Sequence, residues 1–231
     1  MSYRGRADMN GNEVYRTLIF DFDGTLADSF ECAMDAFDAA AGRFDFDPLD
    51  RTRIETIRQL DARQILAHQR VPLWKLPFIA RYVRKVVERN VDGIVLFPGV
   101  EAALTDLADR GATLALLTAN SRRNVTRILG ANLINRFQLI ETGAALFGKA
   151  QRLKSLLRSA GIAPQEALFI GDEIRDAEAA KHCAVRFGAV GWGYTRLESL
   201  LAYGADETFR SVDELSAKLV RALRPGSLQQ R

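Results

Sequence analysis

The pattern of apolar and polar positions divides the chain into three stretches. Leu18-Ile19-Phe20 is an uninterrupted apolar run that ends at Asp21. Such a run predicts a strand from about Arg16 to Phe20, buried on both faces as in parallel sheets covered by helices. From Ala27 to Asn90 the rhythm is helical. Phe30, Met34, Phe37 and Ala41 recur at three- and four-residue spacing, then Ile54, Ile57 and Leu60, then Ile65 and Leu66, then Leu76, Ile79, Tyr82, Val83 and Val86. Pro48, Pro72 and Pro77 punctuate these runs, and no strand pattern interrupts them. After Asn90 strand and helix patterns alternate. Strands are expected at Thr113–Leu117, Phe137–Ile140, Ala167–Ile170, Val185–Val190 and Glu207–Phe209. Helices are expected from Gly99 to about Arg110, from Ser121 to near Gly130, from Lys149 to Ser159, and on both sides of the last strand between Leu197 and Leu223.

Alternation of this kind predicts an α/β fold, a Rossmann-like parallel sheet with crossover helices. The core is expected over 16–26 and 92–224, with a separate helical domain inserted over 27–91. Residues 1–15 read as a flexible leader and 225–231 as a loose tail. At 231 residues with 48% hydrophobic and 26% charged positions, the chain can bury a core as one domain plus an insertion. Its apolar runs are strand-sized, and Met1 to Glu13 lacks the hydrophobic core of a signal peptide, so no membrane association is expected. Cys32 and Cys183 are far apart and have no Cys or His at metal-ligand spacing, which predicts reduced thiols in a cytoplasmic protein.

The calculated pI is near 9.0, yet the net charge is only +3, which argues against nucleic acid as the partner. Between Arg51 and Asn90 ten Lys/Arg stand against three Asp/Glu. A basic segment of that kind suits an anionic substrate, and equally a solvated helix face.

Four polar features lie just beyond strands or at helix starts: Asp21 with Asp23, Thr118, Lys149, and the group Asp172, Glu173 and Asp176. Singly, each has an ordinary structural origin, as a turn, a strand end, a surface lysine or a helix cap. In a parallel sheet all four converge on one edge. Carboxylates meeting there repel one another unless a cation joins them, and an all-oxygen cluster with room for waters suits Mg²⁺. Lys149 adds an ammonium, and Thr118 a hydroxyl and backbone N–H, both suited to the oxygens of a transferring phosphoryl group.

Asp21-Phe22-Asp23-Gly24-Thr25-Leu26, Leu117-Thr118, Lys149 and Gly171-Asp172-Glu173-Ile174-Arg175-Asp176 resemble the four ordered motifs of the haloacid-dehalogenase-like hydrolases. Leu117-Thr118-Ala119-Asn120-Ser121, Leu146-Phe147-Gly148-Lys149 and Gly171-Asp172-Glu173 are similar to the phosphoglycolate-phosphatase-like branch. The resemblance implies a phosphatase that acts on a small phosphorylated metabolite. Asp21 would be the nucleophile and Asp23 the general acid and base. Asp21, Asp172 and the backbone carbonyl of Asp23 would bind Mg²⁺. Asp176 would hold Lys149 or a metal-bound water, with Glu173 as a helper. Thr118 and Ala119 would contact the phosphoryl group, and Thr25 would orient the loop on the substrate side. The insertion would be a cap, with Arg58, Arg63 and Lys75 as substrate contacts, while His68 and His182 have no assigned role. Ala177, where relatives often carry an aliphatic residue, departs from the pattern without removing a catalytic group. A sugar phosphomutase would use the same apparatus, and a non-catalytic phospho-accepting protein would also gather aspartates, although the long insertion and the motif order fit it poorly. Asp23 argues against halide release, and monomer and dimer both remain open.

Overall fold

A computed structural model describes residues 15–143 and 148–223. The leader, apart from Tyr15, and the tail lie outside the described residues, as do Leu146 and Phe147 of the third motif. Tyr15, expected in the leader, is instead buried and bridges Leu223.

The order of elements follows the apolar pattern closely. The strand β1 (Thr17–Phe20) leads through a two-residue strand β2 (Ala27–Asp28) into helices α1 (Phe30–Phe44), α2 (Ile54–Ile57), α3 (Ala62–His68) and α4 (Leu76–Arg89). A second short strand, β3 (Val95–Leu96), pairs antiparallel with β2, so a small ribbon joins the points where the insertion leaves and re-enters the core. No sequence pattern marked this ribbon, because two residues carry no periodicity. Then come α5 (Val100–Asp109), β4 (Thr113–Leu117), α6 (Arg122–Ile134), β5 (Phe137–Glu141), α7 (Lys149–Ser159), β6 (Ala167–Gly171), α8 (Ile174–His182), β7 (Arg186–Val190), α9 (Leu197–Ala202), β8 (Glu207–Phe209) and α10 (Val212–Ala222). The expected break at Gly130 is present as a kink, with φ 71°, and the helix resumes beyond it.

The six-stranded sheet is parallel throughout, in the order β5-β4-β1-β6-β7-β8. β1 lies between β4 and β6, with Phe20 level with Leu116 on one side and Ile170 on the other. Alternate residues of β1 serve opposite layers, as pleating requires. Leu18 and Phe20 pack with Leu104, Leu107, Val125, Leu129, Leu215 and Leu219 of α5, α6 and α10. Ile19 packs on the other face with Leu153, Leu156, Leu157, Ala180 and Leu200 of α7, α8 and α9. The insertion has its own cluster, Ala40, Ala41, Phe46, Leu66, Val71 and Ile79. With apolar helices on both faces, the open groups of the sheet are at its edges and strand ends. The carboxyl ends of β4, β1 and β6 form a single rim.

Candidate active site

Three adjacent strands end in polar residues on this rim: β1 in Asp21, β4 in Thr118 and β6 in Asp172. Asp21 continues the ladder, its N–H donating to the Ile170 carbonyl at 2.8 Å. The helices that follow add two more groups. Lys149 opens α7 on the same face as Leu153, Leu156 and Leu157, and Asp176 opens α8 on the same face as Ala179 and Ala180. Both polar side chains are therefore carried into the interior by the apolar face of their own helix. Lys149 Nζ lies 2.7 Å from Asp21 Oδ2 and 2.5 Å from Asp176 Oδ1. Burial opposes the ammonium, but the Asp176 and Asp21 carboxylates outweigh it and hold its pKa above the usual lysine range.

Asp21, Asp172 and Asp176 are all buried, and each offers a carboxylate oxygen within 4.8 Å of the others. Burial pushes the Asp21 carboxyl up to about 6 against the pull of Lys149, and it pushes Asp172 well above the carboxylate range, reinforced by the charges of Glu173 and Asp21. Three hard oxygen donors that are costly to ionise together form a donor set that fits Mg²⁺. Asp172 is itself fixed on both sides. Thr25 Oγ1 donates to its Oδ1 at 2.6 Å, and the Tyr194 N–H donates to its Oδ2 at 2.8 Å. Gly24, at φ 78°, passes so close to Asp172 and Tyr194 that any Cβ there would overlap both.

Asp23 has different surroundings. Its carboxylate accepts from Asn120 Nδ2 at 3.1 Å through each oxygen and stands apart from the three-carboxylate group. Burial and the neighbouring Asp21 charge raise it to about 6. Asn120 is anchored in turn, its Oδ1 accepting from Ser121 N–H at 2.8 Å and from Asn124 Nδ2 at 2.9 Å.

A cavity of about 390 Å³ lies between the insertion and helices α7 and α8, beside Tyr194 and Thr195. Its insertion wall is largely apolar and includes Phe30, Met34, Phe37 and Ile65, while its core wall carries Lys149, Arg175, Glu178 and His182.

A family model for haloacid dehalogenase-like hydrolases matches residues 18–190. The chain belongs to that family. A phosphoglycolate phosphatase of Synechococcus elongatus is 30% identical over 210 residues, 90% of this chain and 99% of the relative. Among solved structures, a predicted phosphatase from Clostridium acetobutylicum is 24% identical, covering 90% of this chain and 100% of that one at a TM-score of 0.77. CbbY from Rhodobacter sphaeroides in complex with phosphate is 25% identical, covering 90% of this chain and 100% of its own, at a TM-score of 0.70.

Within this hydrolase the expected site residues fall into three groups. Asp21, Asp23, Thr118, Lys149, Asp172 and Asp176 stand together at the rim. Thr118 keeps its hydroxyl at the rim, where it accepts from the Asn120 N–H at 3.0 Å, but its own N–H is engaged by the Glu141 carbonyl at 3.0 Å and is no free donor. Thr25 turns its hydroxyl to Asp172. Glu173 is bound by Arg175, whose Nε donates to it at 2.5 Å.

The cap residues divide differently. Of the ten basic residues between Arg51 and Asn90, Arg58 and Arg63 line the cavity. Lys75 does not: its ammonium donates to the Phe44 carbonyl at 2.6 Å, closing the end of α1, and this removes it from the substrate contacts. Arg58 does line the cavity, but its guanidinium is turned onto the carbonyls of Gly193 and Tyr194. Arg51 meets Asp35 and Asp38 on an exposed face, as a solvated helix would. Sequence reasoning passed over the clamp of Asn120 on Asp23 and the run Trp192-Gly193-Tyr194-Thr195. The signal for the second was its position directly after β7, on the same rim.

Proposed function

We propose that this hydrolase is a Mg²⁺-dependent phosphatase of small phosphomonoesters, working through a phosphorylated Asp21. The observation that carries the reading is the contrast between two aspartates two residues apart, one facing an ammonium and the metal-competent carboxylates, the other clamped by an amide outside that group. Asp21 Oδ attacks phosphorus, forming a P–O bond to the carboxylate as the bond to the leaving alkoxide breaks. Asp23 gives its proton to that alkoxide. In the second half Asp23 takes a proton from water, the water oxygen attacks phosphorus, and the bond to Asp21 breaks to release inorganic phosphate. Lys149 and the Thr118 hydroxyl supply positive charge and a donor to the phosphoryl oxygens. Mg²⁺, held by Asp21 and Asp172 with Asp176 beside them, supplies the remaining positive charge when bound. Asp23 would offer the ion its backbone carbonyl, which leaves its side chain free for proton transfer.

The helical insertion is the cap in this scheme, with the leaving group lodged in the cavity beneath it and Arg63 at its wall. Relatives named phosphoglycolate phosphatase make phosphoglycolate the first compound to test. The free thiols of Cys32 and Cys183 support a cytoplasmic setting. The decisive experiment measures inorganic phosphate released from a panel of phosphomonoesters, with and without Mg²⁺, by wild type and Asp21→Asn. Mg²⁺-dependent release, with a loss of about a thousandfold or more in the variant, is expected. Equal rates would remove Asp21 as nucleophile, and isomerisation without phosphate release would assign a mutase.

A further inference from the structure

The run Trp192-Gly193-Tyr194-Thr195 leaves β7 and crosses the rim, where it grips Asp172. The Tyr194 N–H donates to Asp172 Oδ2 at 2.8 Å, and the Thr195 N–H donates to the Asp172 carbonyl at 3.1 Å. Gly193 packs so tightly on Asp172 that a Cβ there would overlap its side chain. The opposite side of the run is held by the helical insertion. Arg58 donates from Nη2 to the Gly193 carbonyl at 2.7 Å and from Nε to the Tyr194 carbonyl at 3.2 Å. The Arg196 N–H returns a bond to the Arg58 carbonyl at 2.8 Å. Phe30 lies beneath the Arg58 guanidinium, 5.8 Å from ring centre to Cζ, and meets the Tyr194 ring edge-on at 5.2 Å. The Tyr194 hydroxyl closes the cluster with a 2.8 Å bond to Ser29 Oγ.

The Gly193 carbonyl and the Tyr194 N–H belong to one planar peptide unit, so holding the oxygen sets the direction of the N–H. A cation on the oxygen also polarises the unit and strengthens the bond that its N–H makes. We propose that Arg58 is a positioning residue for the metal-binding carboxylate: it clamps the Gly193–Tyr194 peptide from the insertion, and the clamped peptide fixes Asp172. This rests on the metal role proposed above for Asp172. Seating of the insertion and binding of Mg²⁺ are then coupled, each favouring the other by the same factor.

Calorimetric titration of Mg²⁺ into substrate-free wild type, Arg58→Ala and Arg58→Lys tests this without turnover. Direct partners of a metal ligand typically change affinity by about 10–100-fold, and Arg58 acts one bond further out, so Arg58→Ala is expected to weaken Mg²⁺ binding by about 3–10-fold. Arg58→Lys, with one donor left for the Gly193 carbonyl, recovers part of that loss. At saturating Mg²⁺ the bound ion itself holds Asp172, so most of any loss in kcat is expected to be recovered. Unchanged Mg²⁺ affinity with a raised KM would make Arg58 a substrate contact and overturn the proposal. Should Arg58→Ala fail to fold, Arg58→Gln, which keeps an amide donor and the stem, carries the same comparison. Wild type that binds no Mg²⁺ would overturn the clamp and the metal role together, whereas wild type that binds Mg²⁺ but hydrolyses nothing would overturn the phosphatase reading alone.

Discussion

Asp21 and Asp23 belong to one short run, and their different partners suit them to the different work proposed for each. Each is raised to about 6, chiefly by burial. Asp21 faces Lys149, and Asp23 faces Asn120. Asp23→Asn is expected to lower kcat by about 10²–10⁴-fold while the calorimetric Mg²⁺ affinity stays near wild type, because the side chain lies outside the metal-competent group. A collapse of Mg²⁺ binding instead would make that side chain a ligand. Asn120→Ala removes the amide clamp on the Asp23 carboxylate and is expected to cost about 10–100-fold in kcat with KM less affected. The raised carboxyls also set a pH dependence. An acid whose pKa is higher in the fold than in the unfolded chain keeps its proton there, so its stabilising contribution is full below about pH 4 and is lost as pH rises through about 6. The metal-free protein is therefore expected to melt at lower temperature at pH 7 than these groups alone would allow at pH 4.5. Under the proposed metal role Mg²⁺ would displace the protons, so its affinity is expected to rise between pH 5 and pH 7.5 with proton release visible in buffers of different ionisation heat. An affinity flat across that range would contradict the shifts.

At the scale of single elements, the motifs depend on helices and strands that local sequence specifies well. Lys149, Leu153, Leu156 and Leu157 share one face of α7, so the stripe that docks the helix also delivers the ammonium to the rim. Leu153→Ala is expected to destabilise the fold by about 2–5 kcal/mol in urea unfolding, as large-to-small changes in packed cores do. The N-terminus of α6 is equally legible: Ser121 accepts from the Asn124 N–H at 3.2 Å, the bond its position predicted. Ser121→Ala should cost about 1 kcal/mol by the same measurement. It should also slow turnover modestly, because the first turn of α6 anchors Asn120. Ser29 precedes α1 in a capping position, yet its hydroxyl serves Tyr194 in place of the helix, a partner no local rule supplies.

For the molecule as a whole, the proposed chemistry depends on how the insertion sits over the sheet. The apolar insertion wall of the cavity receives the leaving group in this scheme, so Ile65→Asp should lower kcat/KM for p-nitrophenyl phosphate by about tenfold with the fold intact. Unchanged kinetics would place the leaving group elsewhere. By itself the sequence determined the strands and helices of the parallel α/β core, its rim and the set Asp21, Asp23, Thr118, Lys149, Asp172 and Asp176, because apolar periodicity decides which face is buried and parallel strands bring their carboxyl ends together. Tertiary structure alone decided which polar group each long side chain meets. Thr25 turned to Asp172, Lys75 to the end of α1, and Arg58 to carbonyls more than a hundred residues away in the chain. These partners are chosen by the approach of segments remote in sequence, where geometry and the need to satisfy buried donors and acceptors outweigh any local pattern.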